Sequence, residues 1–174
     1  CDTANEVIAV GLGVLNSESR SVECIASKRI PAHRASNTRL LPEIDNLLTE
    51  TGVSRADIAS IACGRGPGSF TGVRIAIATA KGMASALEVP LVGVSTLDAI
   101  AWQLQMAGYR GNALVVADAM RHEIYPVRYR LTEGSVQRLD PDTVVKAEAC
   151  AQSFAPHKDE NPYLAGDALV KYAN

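Results

Sequence analysis

Aromatic side chains are scarce in this chain: 5% of 174 residues, with one Trp and two Phe. Its core must therefore be built from small and aliphatic side chains, which a 47% apolar content supplies. An excess of charge is also lacking. Lys and Arg number 17 against 19 Asp and Glu, a net charge of −2, and the pI is about 5.9. A protein that grips RNA mainly by itself needs a basic footprint, and the whole chain shows none. The four cysteines, Cys1, Cys24, Cys63 and Cys150, are widely scattered. They form no C-x-x-C pair and no Cys/His zinc spacing, so buried free thiols in a reducing cytosol are expected. No apolar run approaches the ~20 residues that span a bilayer, and no secretory signal pattern is present. The expected location is cytoplasmic, with no membrane partner. Only three histidines occur, His33, His122 and His157, and no two stand at i,i+4. His122-Glu123 opens like H-E-x-x-H, but Pro126 stands where the second His belongs, which excludes that zinc motif.

What is present is a glycine-rich string, Gly64-Arg65-Gly66-Pro67-Gly68-Ser69-Phe70-Thr71-Gly72-Val73-Arg74. It follows the apolar run 58–63 and precedes an Ala-rich segment, 75–87. Strand, glycine turn and helix is a layout that points backbone N–H groups and a helix N-terminus at an anion. The same layout also serves as an ordinary capped connection, and both readings stand. The string lacks the Gly-Lys-Ser/Thr ending of a P-loop, the G-x-G-x-x-G spacing of dinucleotide binders and the G-x-S-x-G nucleophile elbow.

Hydrophobic patterning predicts an α/β chain with mixed sheets. A buried strand over 7–14 and a partner over 22–29 form a hairpin. A helix over 36–51 carries Leu40, Ile44, Leu47 and Leu48 at helical spacing, with Pro42 imposing a kink or a late start and Gly52 a stop. The helix near 71–87 has small residues all round and an apolar stripe of Val73, Ile77, Ala80, Ala84 and Leu87. That stripe either packs inside its own fold or meets another chain. A strand over 91–94 leads into Ser95-Thr96-Leu97-Asp98, which has the form of a capping box. A helix to Ala107 stops at Gly108. Strands over 113–117, 123–131 and 135–139, a mixed stretch over 141–155, and a strand-to-helix segment from Tyr163 follow. A boundary is expected near 107–112. Arg20, Lys28, Arg29, His33 and Arg34 read as a solvated basic face.

The glycine string resembles the hallmark of the TsaB (YeaZ) family. Asp2-Thr3-Ala4, His33 with Leu40-Leu41-Pro42, Val92–Leu97, and Asp118-Ala119-Met120-Arg121-His122-Glu123-Ile124-Tyr125 resemble further family elements in the family's order. The resemblance implies the two-lobed acetate/sugar kinase, heat-shock and actin (ASKHA) superfold with ribonuclease H-like lobes: 1–107 first, 108–174 second. It also implies chain beyond both ends, since Cys1 stands where the family is already inside its first strand.

Functionally, the resemblance implies a non-catalytic partner of the transferase TsaD in making threonylcarbamoyladenosine in tRNA. An associated ATPase, TsaE, self-association as a homodimer, and tRNA contact only through the complex go with it. The related transferase carries two metal-binding histidines where Thr96 and Ile100 stand here, so no catalytic or metal residue is expected. No cofactor is required. A vestigial groove for weakly bound ATP or ADP with Mg would involve Asp2, Thr3, Gly66, Gly68, Ser69, Thr71, Gly72, Arg74 and Asp118. The partner contact would involve Leu40, Ile44, Leu47, Leu48, Val73, Ile77, Ala80, Ala84 and Leu87. The alternative is an ASKHA ATPase or phosphotransferase that uses the glycine turn and the two strand Asp residues. A third is an α/β interaction domain without a ligand.

Overall fold

The computed structural model describes residues 1–16, 18–19, 21–32, 35–154 and 161–172, with backbone alone for 151–154. Arg20, His33, Arg34 and His157, singled out above, lie outside the described residues. The chain divides into two compact units: Cys1–Arg65 with Phe70–Val94, and Gly66–Ser69 with Ser95–Asn174.

In the first unit, β1 (Val7–Asn16) and β2 (Ser21–Pro31) form an antiparallel hairpin, with a register shift at Leu12/Gly13. β3 (Ile61–Gly64) and β4 (Leu91–Val94) pair in parallel, joined by the crossover helix that a parallel pair requires. That helix is α2 (Phe70–Leu87). Two residues, Cys1 and Asp2, join the two ladders. Asp2 and Ala9 exchange backbone hydrogen bonds of 2.8 Å. The Gly64 amide donates to the Cys1 carbonyl at 2.8 Å, and the Cys1 amino group donates to the Ala62 carbonyl at 2.9 Å.

α1 (Ser36–Thr51) begins at Ser36, six residues ahead of Pro42, so the late start expected from the proline does not occur. Pro42 and Thr38 are both exposed, which lets water satisfy the Thr38 carbonyl that the proline leaves without a donor. The helix ends at Gly52 in the left-handed region, φ 70°. The Val53 amide bonds back to the Leu48 carbonyl, the closure that glycine permits at no steric cost.

Leu40 and Leu47 are buried with Ile8, Val10 and Ala32. The inner face of α2 is Gly72, Ala76, Ala80 and Ala84, one small residue per turn, and Ala80 and Ala84 pack on Ile61 and Cys63 of β3. Five of the nine residues expected at a partner contact are therefore core instead. Leu40, Leu47, Leu48, Ala80 and Ala84 are buried, while Ile44, Val73, Ile77 and Leu87 are half-buried. Periodicity marks an apolar face without saying what covers it. β1 is likewise buried only at Ile8 and Val10, whereas Val14 and Leu15 are exposed.

The second unit opens with α3 (Thr96–Met106). β5 (Gly111–Met120), β6 (Glu123–Thr132) and β7 (Ser135–Arg138) form an antiparallel meander. β8 (Val145–Lys146) pairs with β6, and β9 (Tyr163–Ala165) runs parallel to β5. α4 (Ala147–Phe154) and α5 (Ala168–Lys171) complete it. Ala113, Val115 and Ala117 of β5 join Leu97 and Ala101 of α3 in one cluster. Leu114 and Val116 point the other way, toward Ile124 and Ala168. Both faces of β5 are covered, which is why its sequence is an unbroken apolar run rather than an alternation. Because α3 belongs to this cluster, the division falls at Val94/Ser95, and the boundary expected near 107–112 lies inside the second unit.

Tyr129 is wholly buried, and its hydroxyl donates to Asp98 Oδ1 at 2.7 Å. Burial first, and then that carboxylate, push the phenol's pKa far above its ordinary value. Arg138 donates to the same Asp98 oxygen at 3.0 Å and to Asp142. Asp98 is thereby drawn away from the helix end, and the capping box expected at Ser95 does not form. Removing the hydroxyl leaves Asp98 with Arg138. Tyr129→Phe should therefore lower the unfolding free energy by about 1 kcal/mol, and Tyr129→Ala by ~3–5 kcal/mol. Urea denaturation measures both, and equal losses would show that the ring contributes nothing beyond its hydroxyl.

Candidate functional site

Asp2 presses against Gly64, the last residue of β3. A Cβ on Gly64 would lie 2.0 Å from Asp2 Oδ2, so only glycine fits beside that carboxylate. Asp2 Oδ1 accepts the Ala4 amide at 2.7 Å. The Thr3 hydroxyl, buried, donates to the Gly72 carbonyl in the first turn of α2 at 2.6 Å. Asp2 and Thr3 thus fasten the N-terminal residues to the end of β3 and to α2. Arg65 returns its amide to the Val94 carbonyl. Of the expected groove residues, this unit holds Asp2, Thr3, Thr71, Gly72 and Arg74. The Arg74 guanidinium lies 3.7 Å from the centroid of the Phe70 ring, an exposed cation–π pair. Its charge is directed at its own helix's aromatic residue.

The second unit holds Gly66, Gly68, Ser69 and Asp118. Gly66 and Gly68 have φ of 84° and 155°. The Gly66 carbonyl accepts the Thr96 amide at 2.8 Å, which ties the glycine turn to the start of α3. At the far end of β5, Asp118 Oδ2 accepts from Lys171 Nζ at 2.5 Å. Its Oδ1 accepts from the Tyr172 hydroxyl and the Met120 amide, each at 3.0 Å. Burial works to raise the Asp118 carboxyl, but the bonds from Lys171, Met120 and Tyr172 outweigh it and hold the pKa below the ordinary value. Both oxygens of Asp118 are engaged by protein donors and Arg74 is engaged by Phe70.

His122 lies in the tight β5–β6 turn. Met120, Arg121 and His122 have φ of 67°, 55° and 62°, the left-handed pair plus bulge that a two-residue hairpin demands. The His122 ring meets the Tyr172 ring at 5.8 Å. Thr96 is buried, and Ile100 packs against the α3–β5 cluster. Among the described residues no group of three His, Cys, Asp or Glu side chains is placed to hold a metal, and no helix is long and apolar enough to cross a membrane. All four cysteines are free. Cys63 is buried and Cys1 and Cys150 are half-buried, but Cys24 is exposed, contrary to the expected burial, because its stretch of β2 has no covering element.

Sequence reasoning missed the Tyr129–Asp98–Arg138 and Asp118–Lys171–Tyr172 groups. In each group the donors lie 31 to 54 residues from the Asp carboxylate they bind, a separation that no local motif reports.

These mixed α/β sheets, with a glycine turn leading from a parallel strand into a long helix, define a TsaD/YeaZ-like fold of the ASKHA, ribonuclease H-like type. A family model described as TsaD, tRNA N6-adenosine threonylcarbamoyltransferase, matches residues 29–170. The tRNA threonylcarbamoyladenosine biosynthesis protein TsaB of Escherichia coli is 36% identical over 138 residues, 78% of this chain and 55% of that protein. The protein of the same name from Haemophilus influenzae is 27% identical over 99% of this chain and 72% of its own length. A solved structure described as YeaZ from Pseudomonas aeruginosa is 33% identical, with a TM-score of 0.73, over 84% of this chain and 65% of that one. The chain belongs to the TsaB (YeaZ) family. It spans 55% and 40% of the lengths of two of the curated relatives it matches.

Two outcomes follow from the site. Gly64→Ala should cost ~1–3 kcal/mol by overpacking, and adding Asp2→Ala should recover much of that loss. Additive losses in a double-mutant cycle by urea denaturation would refute the contact. Asp118→Ala should cost ~1–3 kcal/mol at pH 7. The folded-state carboxyl titrates below the unfolded value of 3.8, so the stabilisation is complete above 3.8 and is lost as pH falls through the folded value. The gap between wild type and Asp118→Ala should close over that window in acid denaturation curves. A gap independent of pH would refute the ionic role.

Proposed function

We propose that this chain serves tRNA threonylcarbamoyladenosine formation as a non-catalytic partner of a TsaD-like transferase. The observation that carries the reading is the match to TsaB proteins named for that pathway, at 36% and 27% identity. The site chemistry supports it. Where the resemblance to the transferase would require metal-binding histidines, Thr96 and Ile100 stand, and both face the core. Threonine is a poor zinc ligand and isoleucine is none. The near-neutral charge supports tRNA contact through the complex rather than by this chain alone. Nucleotide with Mg is not a requirement of this role.

The partner contact must use side chains that the fold leaves outside. On α1 that is Leu41, 54% exposed. On α2 it is Ala78 and Gly82, both exposed, and nothing stands within 4 Å of a Cβ placed on Gly82. Small residues one turn apart let a second helix approach closely, and the same surface would serve self-association. A TsaE-like ATPase would join the assembled pair.

Leu41→Arg and Gly82→Arg should each weaken co-purification with a TsaD-like protein at least tenfold and lower tRNA modification in parallel, with the fold retained by circular dichroism. Unchanged capture in both variants would refute this surface. Full tRNA modification by the transferase without this chain, or Mg-dependent ATP turnover by this chain alone, would refute the partner role.

A further inference from the structure

β2 has β1 along one side and, among the described residues, no strand along the other. The ladder fixes which backbone groups face that open edge. Ala9 exchanges hydrogen bonds with Asp2, so its N–H and C=O point away from β2, and the Ala9–Arg29 pair is of the non-hydrogen-bonded kind. Pairs of that kind recur every second residue along β1. Gly11–Ser27 and Gly13–Cys24 follow, so the amide and carbonyl of Ser27 and of Cys24 point outward. A regular strand would set such residues two apart. Here one more residue intervenes, because Ile25 is the extra residue of a bulge at Leu12/Gly13. Side chains around this irregularity are in solvent: Val22 is 69% and Ile25 46% exposed, and Cys24 and Ser27 are exposed as well.

We propose that this edge pairs, antiparallel, with the same edge of a second copy, Cys24 of each opposite Ser27 of the other. The two-fold axis passes where Ile25 of each copy lies opposite Ala26 of the other. The bulge favours a copy over any other strand. A regular strand in phase with Ser27 is out of phase at Cys24, and a bulge is one of the devices that close an edge to chance pairing. In the two-fold pair, the interval from Cys24 to Ser27 faces the same interval running the other way. The two irregularities match, and the ladder stays in phase on both sides of them.

The register also brings opposite charges together. Glu23 of each copy falls opposite Lys28 of the other, twice by symmetry. Across the hairpin these residues stand beside Val14 and Val10, so both side chains lie on the face that α1 covers at Val10. They form a non-hydrogen-bonded pair, in which facing side chains are closest, and opposite charges so placed stabilise a sheet. Lys28 already bonds Glu50 of α1 and then stands between two carboxylates. Sliding the copies so that Ser27 meets Arg29 would instead set Lys28 against Lys28, a like-charge contact that destabilises. Leu41, Ala78 and Gly82 take no part, so this contact is independent of the helical surface proposed above.

Sedimentation velocity under reductant tests this in the Leu41→Arg background, which removes self-association through the helices. That parent should dimerise. Glu23→Lys and Lys28→Glu should each raise its dimer dissociation constant roughly tenfold or more, because each sets like charges together at both symmetry-related places. The two variants carry complementary charges, so their equimolar mixture should regain the parent's affinity, which also shows that both fold. Hydrogen exchange at the Cys24 and Ser27 amides should slow as the parent's concentration rises. A parent that stays monomeric, single variants that associate as the parent does, or a mixture no tighter than its components would each overturn the proposal.

Discussion

Two residues hold the first unit together as a sheet. Without the bonds of Cys1 and Asp2 to Ala9, Ala62 and Gly64, β1–β2 and β3–β4 would be separate two-stranded ladders. A pair of strands is marginal in water, and three or more with a covered face are needed for stability. The covered face also depends on this junction. The residues of β1 and β3 that pack on α1 and α2 flank Cys1 directly. Thr3 and Asp2 extend the same short segment to Gly72 and Gly64. The glycine turn, the most legible motif in the sequence, therefore starts from a strand end whose position is set by residues more than 60 positions earlier.

The second unit solves a different problem. Its central strand is buried on both faces, so polar groups near it need partners inside the protein. Tyr129 finds Asp98, and Asp98 is balanced by Arg138. Arg128 finds Asp140 with two guanidinium bonds of 2.8 Å. Asp118 finds Lys171 and Tyr172. The Tyr129–Asp98–Arg138 group ties β6, α3 and β7, and the Asp118–Lys171 pair ties β5 to α5.

What the sequence revealed and what it hid divide along physical lines. Local signals were legible. Gly52 ended α1, the strands expected over 123–131 and 135–139 became β6 and β7, and the glycine string sat between β3 and α2. Each depends on residues within a few positions. Apolar periodicity was legible as a face but not as an interface, and so Leu40, Leu47, Leu48, Ala80 and Ala84 turned out to be core. Asp98 looked like a capping residue because its local spacing fits one. Tyr129 and Arg138, 31 and 40 positions later, bind it instead. The assignment of α3 to the second unit was hidden for the same reason: its packing partners come later in the chain.

Cys24 carries a practical consequence. Its thiol is exposed on β2, opposite Gly13 at the irregular point of the hairpin. Under reducing conditions such a group is inert to pairing, but in aerated buffer two chains can oxidise to a covalent dimer. Self-association of this protein is therefore meaningful only under reductant or with Cys24→Ser. The same accessible sulfur offers a single-site handle for a spin or fluorescent label, placed on a strand surface that has no covering element.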